Sequence, residues 1–116
     1  MRWFLLALAI VAAPLMAQAG GFVPGTEDLP LMLGLEPVAG SAVVFDKPEG
    51  RIVESSAHGD VTRYAVSRFY AQTLPQLGWQ RVAGNTATWT RGSERLNLDF
   101  HGPDGDLTVS YMIAPR

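Results

Sequence analysis

Two short stretches of this chain place side chains of reactive type close together. Ser55-Ser56-Ala57-His58-Gly59-Asp60 holds hydroxyl, imidazole and carboxylate groups within six residues, the group types of a nucleophilic triad. A triad needs its base within about 3 Å of the nucleophile and oriented by the third group. Adjacent strand residues point to opposite faces, and no strand-turn-helix elbow surrounds either serine. The stretch therefore reads as strand for Ser55 and Ser56, turn for His58 and Gly59, and helix cap for Asp60. The second stretch offers Asp99, His101, Asp104 and Asp106 as metal ligands. The alternating acids and closing glutamate of a calcium loop are missing, and two histidines are too few for a three-histidine site. Glu49 and Glu54 fall in an exposed-looking hairpin. Trp89, among Thr86, Thr88 and Thr90, reads as inward core rather than a sugar-stacking platform. Cysteine is absent, which removes disulfides, thiol catalysis and thiolate metal sites. The expectation is no catalytic residue, no metal and no cofactor.

The elements that would position these groups are legible from period and turn chemistry. Ala42 to Asp46 and Arg51 to Ala57 are β-rich runs around Lys47-Pro48-Glu49-Gly50, a proline-second, glycine-last turn that predicts a hairpin. From Val61 to Leu77, Ala65, Val66, Phe69, Tyr70, Thr73 and Leu77 recur at three- and four-residue spacing, with Arg63, Ser67 and Gln72 opposite. That spacing predicts a one-faced amphipathic helix, with Asp60 as its N-cap. Pro75 should kink or tighten the last turn, Gly78 fits the left-handed C′ position, and Trp79 can fold back on Leu74. Four short strands follow: 79–83, 86–91, 94–101 and 107–113. In the last two, Leu96, Leu98, Phe100, Leu107, Val109, Tyr111 and Ile113 share one face. One apolar and one polar face describe an antiparallel sheet covered on a single side. The fold class is thus α+β, a two-layer sandwich with one covering helix in the order β-β-α-β-β-β-β, at residues 41–116.

The helix end Phe69-Tyr70, Leu74-Pro75, Gly78-Trp79 resembles one found in small exported bacterial proteins of alphaproteobacterial type, where it precedes an antiparallel meander. It is distantly similar to the helix-grip domains of a lipoprotein of the outer-membrane β-barrel assembly machinery. The resemblance spans residues 60–113 in pattern and about 14 residues in motif. It implies a fold and no reaction. Without a cysteine to lipidate, this chain departs from the lipoprotein.

The N-terminus carries an address. Met1-Arg2, an uncharged apolar run from Trp3 to Met16, then Ala17-Gln18-Ala19, describe a secretory signal peptide cleaved after Ala19. The 21 uncharged residues from Trp3 to Val23 could just span a bilayer, but Pro14 and Gly20-Gly21 interrupt them. The expectation is a periplasmic or secreted chain without a membrane anchor once cleaved. Losing Arg2 takes the formal net charge from −2 to −3. No basic stripe remains for phosphate-backbone binding, so nucleic acid is not an expected partner.

Residues 20–40 form a strap rich in proline and glycine, too apolar for a solvated linker. It either lies across the domain's own core, the preferred reading, or docks a partner through Leu31, Met32 and Leu35. The function read from all this is a non-enzymatic interaction or scaffold role with an envelope protein partner. The alternative is a small-ligand binding module using the gap between helix and sheet.

Overall fold

The structure is a computed structural model that describes residues 19–116. Most of the expected leader therefore lies outside the described residues. The elements run β1 (Ala19–Phe22), β2 (Pro30–Met32), β3 (Leu35–Pro37), β4 (Val43–Lys47) and β5 (Gly50–Gly59). Helix α1 (Arg63–Thr73) continues into a 3₁₀ turn (Leu74–Leu77), then come β6 (Gln80–Arg81), β7 (Thr88–Arg91), β8 (Glu94–His101) and β9 (Leu107–Pro115). The protein is α+β, and its main sheet is antiparallel throughout, in the order β3-β5-β9-β8-β7-β6. β4 also pairs with β5, so β3 and β4 share one side of that long strand. Between them, the Ser41 hydroxyl accepts from the Ser56 amide (3.1 Å) and donates to the Val38 carbonyl (2.7 Å). A side chain there does the work of a ladder bond.

The alternation of β8 and β9 puts Leu96, Leu98, Leu107, Val109, Tyr111 and Ile113 on one buried face. Helix α1 covers that face with Val66, Phe69, Tyr70 and Thr73. Removing such side chains from water stabilises by about 1.5–3 kcal/mol each, and this pairing of faces is the fold's main driving force.

The helix starts later than the sequence suggests. Asp60 lies outside it, in an exposed bend. Thr62 is the N-cap, its hydroxyl accepting from the Ala65 amide at 3.0 Å. Asp104, from the turn between β8 and β9, accepts from the Arg63 amide at 2.9 Å. Two side chains, one local and one distant, thus satisfy amides that the first turn leaves open. The far end follows expectation. Pro75 tightens it to a 3₁₀ turn, Gly78 adopts φ 89°, and the Trp79 amide donates back to the Leu74 carbonyl at 3.1 Å.

The strap is part of the fold. Its prolines and glycines limit it to short strands without abolishing them: β1 pairs with β2, and β3 with the end of β5. Val23, Leu29, Leu31 and Leu35 are all buried in the same core as the helix and sheet.

Candidate functional site

The structure separates the groups that proximity in sequence had brought together. Ser55 and Ser56 occupy opposite faces of β5. Ser55 is buried opposite Tyr111, its hydroxyl without a partner. Ser56 lies on the open face and meets Ser110 at 3.2 Å. The His58 imidazole, on strand rather than in a turn, bonds the Asp106 carboxylate instead of a serine. Asp104 caps the helix, and Asp99 stands beside Ser110 on the open face. Among the described residues, no group of three or more His, Asp or Glu side chains could hold a metal ion. Trp89 is buried in the core, as expected.

The space between helix and sheet, where a ligand module would hold its ligand, is filled. Tyr70 and Tyr111 meet edge to face across it, ring centroids 5.8 Å apart. The Tyr70 hydroxyl donates to the Pro30 carbonyl at 2.8 Å, leaving its oxygen to accept from Tyr111 at 2.7 Å. Burial pushes both phenols well above the ordinary tyrosine range. This chain of hydroxyls ties strap, helix and sheet together. Arg91 makes a second tie. It bonds Asp28 of the strap (2.7 Å) and the Leu77 carbonyl (3.2 Å), and stacks 4.4 Å from the Trp79 ring centre. Arg51, held by Glu94 at 3.0 Å, is pushed up from its usual value by that bond.

Of the three strap residues singled out as a docking patch, Leu31 and Leu35 are only 3% and 4% exposed. Leu31 continues a buried run with Leu29 and Pro30, and in β3 Leu35 turns inward while Glu36 faces out. Met32 is half-buried and lines a groove against Tyr64, Arg68, Phe69 and Gln72 of α1. The outward residue of the run is Leu33, 57% exposed. No contiguous patch of Leu31, Met32 and Leu35 exists on the surface.

The apolar surface that does stand out lies on β4. All five of its residues are exposed, including Val43, Val44 and Phe45, the last at 53%. Period-two alternation sends Val43, Phe45 and Lys47 to the face opposite the helix and Val44 to the helix side, where the strap's Gly25 packs against it. On the open face, Phe45 and Lys47 join Ile52, Glu54, Met112 and Ala114 around a groove of about 500 Å³. A polar hollow lined by Ser41, Ser56, Asp99 and Ser110 continues from it and shares Glu54 and Met112. Among the described residues, β4 pairs with β5 alone, so its outer edge offers unpaired main-chain donors and acceptors. The hairpin is exposed, as its sequence suggests, but that this strand would present large apolar side chains there was not expected. The available signal was Val43-Val44-Phe45 itself: three apolar residues in a row break the in–out alternation and must put apolar groups on both faces.

Comparison with known protein families, with curated proteins and with solved structures finds no match to this chain.

Proposed function

We propose that this protein is an exported, non-enzymatic interaction domain, released by cleavage after Ala19. We propose further that it binds an extended segment of an envelope protein along β4. The observation that carries this reading is the β4 edge. A five-residue strand with free main-chain groups and three exposed large apolar side chains is the arrangement that strand addition uses. Folded proteins ordinarily blunt such an edge with charge, proline or cover, because left bare it pairs with other chains. Lys47 and Pro48 protect only one end of it. The engagement of Asp104, Asp106, Ser56 and His58 in caps and pairs supports a structural rather than a catalytic role for them.

The test is a photo-crosslinking residue placed at position 45 of the exported protein in cells, with position 64 as control. Tyr64 is 72% exposed but lies on the helix, away from β4. A discrete adduct from position 45 and none from 64 is the expected result. Equal adducts from both positions, or none from 45, contradict the proposal. An adduct of twice the chain's mass identifies a second copy as the occupant and contradicts the choice of a foreign segment.

A further inference from the structure

We infer that the segment added to β4 pairs with the main chain of Val44 and Asp46 and carries an arginine or lysine among apolar residues. This rests on the proposed strand addition. In an antiparallel pair, residues alternate between bonding the neighbouring strand and turning their amide and carbonyl away from it. On β5, the Ser56 carbonyl accepts from the Val38 amide at 2.8 Å, and the Ser56 amide donates to the Ser41 hydroxyl at 3.1 Å. The main chain of Ser56 is therefore turned toward the β3 and β4 side. Two and four residues earlier, Glu54 and Ile52 turn the same way, and they are registered against Val43 and Phe45. Val43 and Phe45 thus bond β5, while Val44 and Asp46 hold their amides and carbonyls toward the outer edge. Ser41, bonded to Ser56, and Pro48, without an N–H, bound this stretch. Main-chain groups align a segment but read none of its sequence, so its chemistry is set by side chains.

Those side chains are apolar and acidic. Val43 and Phe45 face the open side and Val44 the helix side, which suits apolar residues in the added strand. Asp46 stands exposed on the edge itself. Glu54, on β5 opposite Val43, faces the open side, and Asp99 lines the hollow that shares Glu54. None of these three carboxylates joins an ion pair among the described residues. Arg51, registered against Asp46, is turned to Glu94 instead. Lys47, the cation of β4, sits at its turn end. A segment laid along the edge takes Asp46 out of water on one side, and Glu54 lies a single strand further in. Covering a carboxylate costs free energy unless a partner replaces its water. A guanidinium or ammonium on the added strand does so and fixes the register, whereas a carboxylate there is repelled.

The experiment places the photo-crosslinking residue at position 45 of the protein in cells. It reads the linked peptide by mass spectrometry and the adduct yield in charge variants. The linked peptide is expected to carry an arginine or lysine within about three residues of the linked position, the reach of direct and diagonal cross-strand neighbours. Asp46→Asn combined with Glu54→Gln should lower the yield about 5-fold, the loss of two cross-strand charge pairs. Asp46→Glu should keep the yield, and so should Asp60→Asn, which neutralises an exposed acid beyond the far end of β5. All three positions are exposed, so these variants leave the core intact. A linked peptide without a basic residue, or an unchanged yield in the doubly neutralised variant, overturns the inference and leaves strand addition standing. An equal fall with Asp60→Asn also overturns it, since the effect then belongs to net charge and not to the edge. No adduct from position 45 of the parent overturns strand addition itself, and the inference with it.

Discussion

The Tyr70 hydroxyl holds three parts of the molecule with two bonds, one to Pro30 and one to Tyr111. Tyr70→Phe keeps the ring and removes both bonds, leaving a buried carbonyl and a buried hydroxyl unpaired. It should cost about 1–3 kcal/mol in chemical denaturation. The same pair sets a pH limit. Both phenols are raised in the folded state, so they stay protonated there while the unfolded chain gives up its protons above a pKa of about 10. The unfolded state then binds fewer protons, and stability must fall as pH rises. Stability should be nearly unaffected by this pair below about pH 9, then decline progressively, approaching roughly 1.4 kcal/mol per pH unit for each buried phenol above about pH 10. Denaturation midpoints measured from pH 8 to 11 check it, and Tyr70→Phe should flatten the decline. The inward placement of Tyr70 was legible in the helical spacing. Its hydroxyl partner was not, because Pro30 lies 40 residues away and only the tertiary fold brings it near. The same reason moved the helix cap from Asp60 to Thr62 and Asp104: a local rule cannot foresee a carboxylate supplied by another turn.

Long elements with a clean period could be read directly, and short ones could not. Helix α1, β8 and β9 each repeat their apolar pattern several times, and the structure places those residues inward. β1, β2 and β3 have three or four residues each and carry too little periodicity to register. What secures β3 is instead a close approach at the end of β5. A Cβ at Gly59 would overlap the Gly34 carbonyl oxygen, so only glycine lets the two strands meet there. On the helix, Phe69 packs edge-on against Tyr70 with ring centroids 4.9 Å apart and is nearly buried. Phe69→Ala should cost about 3–5 kcal/mol, the usual loss for emptying an aromatic core position. A thermal melt within a degree or two of the parent protein would mean that the helix presents a different face.

The whole molecule depends on the strap. Val23, Leu29, Leu31 and Leu35 together account for about 6–12 kcal/mol of burial at about 1.5–3 kcal/mol each. Domains of this class retain only about 5–15 kcal/mol in total. Deleting residues 20–38 should therefore leave a chain without a cooperative unfolding transition, as circular dichroism would show. With Leu29, Leu31 and Leu35 of the strap committed to the core, β4 is the surface proposed for a partner, and the proposed manner of binding can be tested residue by residue. Strand addition runs along an edge and touches both faces of the sheet, whereas docking onto the open groove touches one. Photo-crosslinking residues placed singly at 43, 44 and 45 of the protein in cells distinguish them, since Val44 faces the helix side and its two neighbours the open face. The account predicts the same adduct from all three positions. An adduct from 43 and 45 but not from 44, or from none of the three, would contradict it.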